Sequence, residues 1–378
     1  MRVLSIFLLC GYIFANPYFP GDAWETKNHD EVGLDELKIE ALFELTFSDD
    51  ATMSAVLIKD GYIIKEQYAE GFNENSYGTS WSTAKSFYAA LVGISLDKGE
   101  IDSLDDPVAK YVPLYNEGKK KDITIRQILN MTSGLEFPSH EHEMMFFEPD
   151  HLAYAYEVGV EDEPGKVFQY NNVNSMLMGE ILKGATGKTA KQLIEERLFS
   201  KIGLKNYTAW EDKAGNTLTY CCLDMSARDY SRFGILFSRD GNWNGEQVIS
   251  KNYVDESLKL YWGSTPSMGW MHSDTRGYSL QWWISKYDDE AKIYNTSGKF
   301  GQFVFIDKER DIIFTRITKY RPIEGDVQDW GPLGYLRFLG SVDRAINFSR
   351  FLIWIGLIDI DGGSVVIPYT EADGESKE

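Results

Sequence analysis

Two strand-like runs, "MSAVLIK" and "YIIKEQY", flank the dipeptide Asp60-Gly61. A dipeptide of this kind between such runs predicts a β-hairpin. The period then changes. In "STAKSFYAALVGISLDKGE" the apolar residues Phe87, Leu91 and Ile94 recur at helical spacing, with Ser80 or Ser82 placed to cap the start and Gly99 to stop the end. From about residue 101 to 264 the pattern predicts short helices and loops. One helix runs from Thr124 to Gly134 in "TIRQILNMTSGL"; amphipathic helices follow in "NSMLMGEILKGATG", "TAKQLIEERLFSKIG" and "SARDYSRFGILFSRDG". "GYSLQWWIS" (277–285) reads as one strand, and residues 291–318 read as two or three strands around the polar turn "DKERD". "GYLRFLGSVDRAINFSRFLIWIG" reads as a closing helix. Its Arg337, Asp343, Arg344 and Arg350 favour packing on a sheet over crossing a membrane. The tail "TEADGESKE" is expected to be disordered.

Strands at both ends with helices between them predict an α/β (α+β) architecture. The terminal strands meet in one antiparallel sheet flanked by helices, a helical subdomain is inserted, and the cleft lies at the junction. The expected division is 22–100 and 265–368 for the sheet-plus-helix domain and 101–264 for the mostly helical subdomain. The formal net charge of −20 over 378 residues argues against nucleic acid as a partner, because phosphate binding needs a positive surface. The start, "MRVLSIFLLCGYIFA", has one Arg, a short apolar run and a small residue at Ala15. It predicts a secretory signal over residues 1–15, cleaved after Ala15, and a secreted or periplasmic location. No stable membrane insertion is expected from so short a run. Lipid attachment at Cys10 is the alternative, set back because Leu9 stands where a small residue is usual. That leaves Cys221 and Cys222, which are adjacent and are expected to be small unpaired core residues, since neighbouring cysteines rarely meet the geometry of a disulfide. His140 and His142 in "SHEHE" lack further ligands nearby in sequence, so a solvated loop is expected and no metal or organic cofactor.

The chemistry-bearing candidates begin with Ser82 and Lys85 in "GTSWSTAKSF". Residues three apart share a helix face. At a helix N-terminus, backbone N–H groups and the positive dipole end favour a developing alkoxide. A lysine one turn on takes the serine proton if burial lowers its pKa. Ser95 and Lys98 have the same spacing but lie at the C-terminal end, where the dipole has the wrong sign. Tyr170 and Asn172 in "FQYNNVNS" offer a proton carrier and an amide, or a plain capped loop. Gly298 and Gly301 in "TSGKFGQF" let backbone approach a ligand closely, or form a bulge. Trp210, Trp262, Trp270, Trp282 and Trp283 are candidates for an apolar acyl pocket or for core. Of the last two, one is expected inward and one outward. Arg228 and Asp229 are expected to form an ion pair at a helix start.

This ordered set, with "SLDDPVAKYVP", "ITIRQILNMTSGL", "CCLDMSARDYSRFG" and "GYSLQWWIS", resembles the serine β-lactamase-related hydrolases, a group that includes class C β-lactamases, D-Ala-D-Ala carboxypeptidases, esterases and 6-aminohexanoate-dimer hydrolase. The likeness covers roughly residues 50 to 320, and "YCCLDMSARDYSRFG" and "KFGQFVFID" look most like the last branch. It implies a β-lactamase/transpeptidase-like fold with Ser82 as acylated nucleophile, Lys85 as base, Tyr170 assisting proton transfer at the leaving group, and Asn172 bonding Lys85 and substrate. The oxyanion would be held by the N–H groups of Ser82 and, on an edge strand with Gly298, of Lys299. Where β-lactamases carry a Lys-Thr-Gly triplet this chain has Thr296-Ser297-Gly298, and Lys299 is expected to point to the other face of the strand. The implied substrates are esters or small linear amides. The alternatives are a penicillin-recognising β-lactamase or D-Ala-D-Ala carboxypeptidase, and a non-catalytic binding protein on the same fold. The natural substrate and oligomeric state stay open.

Overall fold

Asp60 and Gly61 both take positive φ, 54° and 87°, as a tight two-residue hairpin turn requires. On either side of them β1 (Thr52–Lys59) pairs with β2 (Tyr62–Tyr68). The computed structural model describes residues 17–137, 144–259, 276–287 and 290–319. The expectations for the leader and Cys10, His140 and His142, Trp262 and Trp270, and the closing helix and tail lie outside the described residues.

The small strands β3 (Gly78–Thr79), β4 (Thr208–Ala209) and β5 (Leu223–Met225) form a three-stranded sheet in the order β3-β5-β4. β6 (Asn242–Trp243) and β7 (Glu246–Gln247) form an isolated hairpin. β8 (Arg276–Ser279), β9 (Trp282–Tyr287), β10 (Glu290–Gly298), β11 (Gln302–Asp307) and β12 (Ile312–Thr318) complete the main sheet. Among the described residues that sheet has seven antiparallel strands in the order β2-β1-β12-β11-β10-β9-β8, so the N-terminal hairpin joins the C-terminal strands through β1 and β12.

Both faces of the sheet are covered, which is why its central strands read as almost unbroken apolar runs. On one face, Leu42 and Phe43 of α1 (Glu36–Phe47) pack on Ala55, Leu57, Phe305 and Phe314. On the other lie α2 (Ala84–Asp97) and, later in the chain, α7 (Ala227–Ser238). Between them run α3 (Ile125–Leu129), α4 (His151–Glu157), α5 (Asn172–Thr186) and α6 (Ala190–Ile194), and α8 (Lys251–Ser257) follows α7. α7 falls in the stretch assigned above to the helical subdomain, yet it packs on the sheet: a Cβ on Gly234 would lie 2.7 Å from Ile313 Cγ2 and 3.0 Å from Val304 Cγ1. Only a glycine lets the helix axis come this close.

Several local expectations change. Residues 277–285 are a hairpin, not one strand, because Leu280 and Gln281 turn with φ of 39° and 70°. Interior hydrogen bonds hold these side-chain-bearing residues in a conformation that usually calls for Gly or Asn. Leu280 N–H donates to Asn130 Oδ1 (2.8 Å), and Gln281 N–H and Nε2 both donate to the Leu129 carbonyl (3.1 and 2.7 Å). Ser175 Oγ donates to Gln281 Oε1 (2.8 Å) and Ser86 Oγ to the Gln281 carbonyl (2.7 Å). The same contacts shorten α3. It starts from a capping box at Thr124 but ends at Leu129, whose carbonyl goes to Gln281, and Met131 then turns with φ 58°.

Trp282 and Trp283 do alternate, but both are buried: Trp282 packs on Phe233 and Phe237, Trp283 on Tyr170 and Tyr278. Arg228 pairs with Glu66 and not with Asp229, whose carboxylate instead faces Ser226 Oγ and Arg232. Trp210 is partly buried: it packs against the core around β5, and its Nε1 donates to Asp224 Oδ2 (3.0 Å). Among the described residues no helix is long and apolar enough to cross a membrane.

Candidate active site

Ser82 sits in a single 3₁₀ turn, Trp81–Thr83, that runs directly into α2. The turn is tied to β5 and β11. Ser80 N–H donates to the Leu223 carbonyl and Leu223 N–H to Ser80 Oγ, both at 2.8 Å. Thr79 Oγ1 donates to Asp224 Oδ1 (2.7 Å) and Thr83 Oγ1 to the Gln302 carbonyl (3.1 Å). Ser80 is therefore not a helix cap; its hydroxyl is used between strands, and neither Ser80 nor Thr83 makes a side-chain cap. Trp81, just before the candidate nucleophile, has φ 49°, a conformation a bulky residue keeps only where its surroundings enforce it. Tyr230 of α7 helps to do so by donating its hydroxyl to the carbonyls of Gly78 (2.9 Å) and Leu223 (2.7 Å).

Lys85 is 1% exposed, and its Nζ lies 2.8 Å from Ser82 Oγ. Nζ donates to the Tyr220 carbonyl at 2.7 Å and stands 5.0 Å from the centroid of the Tyr170 ring. Among the described residues no carboxylate pairs with it. Burial alone pushes its pKa well below the usual lysine range, so the amine is favoured in its neutral, proton-accepting form.

Tyr170 is placed by aromatic packing. Its ring stacks on Trp283 (5.7 Å between centroids) and meets Tyr278 edge-on (6.1 Å). Asn171, not Asn172, caps α5: its Oδ1 accepts from Val173 N–H (2.9 Å) and its Nδ2 donates to the Glu136 carbonyl (3.1 Å). Asn172 is the first residue of α5 and does not bond Lys85. The Tyr220 carbonyl takes that place, and Asn172 Oδ1 is buried with no hydrogen-bond partner among the described residues. An orphaned acceptor of this kind is open to a donor brought by a ligand.

Gly298 ends β10 directly beside the nucleophile turn. A Cβ there would lie 2.2 Å from the Ser80 carbonyl oxygen, so only glycine fits. β10 is not an edge strand, since it lies between β11 and β9. Its pairing with β9 nevertheless stops at Asn295↔Trp283, whereas pairing with β11 continues to Gly298↔Gln302. Residues 296–298 thus behave as an edge over a short length. Thr296 Oγ1 accepts from Val304 N–H (3.0 Å). Lys299 belongs to the turn after β10, with Phe300 and Gly301 at φ 67° and 90°. Its ammonium does not cross to the other face: it stands 6.0 Å from the ring centroid of Trp81 and 5.7 Å from that of Phe300.

Sequence reasoning missed the Tyr220 carbonyl, for which no side-chain signal exists. Cys221 and Cys222 lie buried in the core. His151 was missed too: its buried Nδ1 lies 3.0 Å from the Tyr220 hydroxyl, and burial lowers its pKa. Among the described residues no group of three or more His, Cys, Asp or Glu side chains is placed to hold a metal.

The family described as Beta-lactamase matches residues 47–334. The 6-aminohexanoate-dimer hydrolase of Paenarthrobacter ureafaciens is 22% identical over 335 residues, 80% of this chain and 81% of that protein. A solved structure from Bacillus anthracis, provisionally described as a 6-aminohexanoate-dimer hydrolase, superposes with a TM-score of 0.68 at 20% identity, covering 86% of this chain and 89% of the other. A family VIII carboxylesterase gives 0.60 at 18% identity, covering 82% and 96%.

Proposed function

Since the chain belongs to the beta-lactamase family, we propose that it is a serine hydrolase that cleaves esters or small linear amides through an acyl-enzyme on Ser82. The observation that carries this reading is the 2.8 Å approach of the buried Lys85 Nζ to Ser82 Oγ. In the proposed sequence Ser82 Oγ attacks the substrate carbonyl and its proton passes to Lys85 Nζ. The N–H groups of Ser82 and Lys299 receive the oxyanion. Tyr170, beside Lys85, relays the proton to the departing alcohol or amine, and the open acceptor of Asn172 takes a substrate N–H. Water then attacks the acyl-enzyme along the same proton path, giving the free acid and restoring Ser82.

The preference for esters or linear amides rests on Thr296-Ser297-Gly298 standing where a carboxylate-binding Lys-Thr-Gly would be. It is supported by one relative named for hydrolysis of the 6-aminohexanoate dimer and one structural neighbour named a carboxylesterase. Secretion after removal of residues 1–15 belongs to the same reading. Intact-mass analysis tests it: a fluorophosphonate adds to Ser82, and esters or linear amides give acyl-enzymes that a cephalosporin does not. Acylation by the cephalosporin alone would assign a penicillin-recognising protein. No fluorophosphonate adduct would overturn the hydrolase reading.

A further inference from the structure

Met131 lies in the stretch "ILNMTSGL", and the reaction proposed above gives it no part. It is buried and leaves α3 at φ 58°, a conformation that a long side chain keeps only under restraint. Turned this way, it meets the segment around Tyr170 with both its main chain and its side chain. Its carbonyl accepts from the N–H of Gln169 (2.8 Å), the residue before Tyr170. Its Sδ accepts from the N–H of Asn171 (3.4 Å), the residue after it, and from Asn174 Nδ2 (3.6 Å) in the first turn of α5. Met131 also packs with Phe168, Tyr278 and Trp283, a small cluster apart from the main core, and Tyr170 lies against that cluster. A thioether is a weak acceptor, but it also makes favourable contacts with aromatic rings. Leucine would fill the same space and leave two buried donors unpaired.

We propose that Met131 is a positioning residue for Tyr170: its carbonyl and its thioether bracket the tyrosine and hold the ring beside Lys85. Stacking on Trp283 resists tilting of the Tyr170 ring more than sliding in its own plane. A backbone held at the residue before and the residue after adds restraint in that plane. The bracket matters because Lys85 Nζ stands 5.0 Å from the ring centroid, so a shift of about an ångström changes whether the two groups can share a proton. The proton-carrying role of Tyr170 rests on the function proposed above; the bracket does not.

Three variants of the full chain decide the matter: Met131→Leu, Met131→Gln, and Met131→Leu combined with Tyr170→Phe. Leucine conserves volume, so Met131→Leu is expected to fold. Its acylation by a substrate with a poor leaving group should fall about tenfold, within the range that misplacing a reacting group produces. With a good leaving group the loss should stay under about twofold, since proton delivery to that group matters less. In the Tyr170→Phe background the same change should add less than about twofold, because the group it positions is already gone. Met131→Gln offers a carbonyl to Asn171 N–H and an amide to Asn174 Oδ1, which is buried with no hydrogen-bond partner among the described residues. It should recover most of the rate; no recovery would assign the loss to packing and overturn the acceptor role. A Met131 that serves the core alone would slow good and poor leaving groups alike and multiply with Tyr170→Phe. Either result overturns the proposal, as does an unchanged rate in Met131→Leu. Hydrogen exchange at the Asn171 amide, read on the same proteins, should accelerate in Met131→Leu and return in Met131→Gln. That readout is independent of catalysis: faster exchange in a protein that never acylates would sink the hydrolase reading and keep the bracket, whereas unchanged exchange sinks the bracket.

Discussion

At the N-terminal end of α2, Ser82 and Lys85 lie against β5 and the Tyr170–Trp283 stack, and the lysine is 1% exposed. Three turns later the same spacing recurs as Ser95 and Lys98. There Lys98 is the exposed C-cap residue, while buried Ser95 accepts from Arg197 Nη1 at 3.3 Å. Arg197 in turn grips Glu100 in a bidentate pair. Ser82 stands in the 3₁₀ turn that leads into α2 and Ser95 within α2, and both lysines follow by three residues, yet only the first pair shares a hydrogen bond. The spacing is therefore not the machine. What separates the two ends is the desolvation of one lysine, the carbonyl that anchors it, and the helix polarity under the serine.

The comparison can be broken most severely at the nucleophiles. Ser82→Ala should lower hydrolysis by on the order of ten-thousandfold or more and abolish the fluorophosphonate adduct. Ser95→Ala should leave both intact at matched folded content, read by intact mass and circular dichroism. At the bases, Lys85→Met should cost on the order of a hundredfold to ten-thousandfold, the range of general base catalysis, and Lys98→Met nothing measurable. The wild-type kcat/KM should fall on the acid side as Lys85 takes a proton, with a midpoint well below the ordinary lysine pKa, because burial disfavours the charged form. A midpoint near that of free lysine would contradict the neutral base. A Tyr170→Phe variant should lose on the order of a hundredfold, more with poor leaving groups than with good ones, as a leaving-group proton donor requires. The smallest effect is expected at His151→Phe. It removes the hydrogen bond between His151 Nδ1 and the buried Tyr220 hydroxyl, costs about 1 kcal/mol in a denaturant melt, and slows acylation less than any change above.

The features legible in the sequence were those that a local rule dictates. Asp60-Gly61 announced its hairpin, Thr124 the start of α3, Gly187 the end of α5, and the apolar runs at both ends of the chain a shared sheet. Ser82, Lys85, Tyr170 and Gly298 were named from pattern and resemblance, and the fold brings them into one neighbourhood. The features it hid depend on partners distant in sequence. Leu280-Gln281 has no turn composition and turns because three helices hold it. α3 stops early because a hairpin claims its last carbonyl. The anchor of Lys85 is a main-chain oxygen 135 positions away, which no residue type advertises. Cys222 takes a backbone conformation that its side chain does not suggest.

The buried turn at Leu280-Gln281 bears on how this chain tolerates insertion. Hairpin tips are ordinarily where proteins accept a tag, a graft or a new pair of termini, because nothing packs on them. The Asn244-Gly245 tip between β6 and β7 fits that rule: it is exposed, and a Cβ on Gly245 would meet nothing within 4 Å. The Leu280-Gln281 tip reverses it. Extra residues there would have to force α2, α3 and α5 apart, so an epitope that is silent at Asn244-Gly245 should leave no soluble protein at Leu280-Gln281.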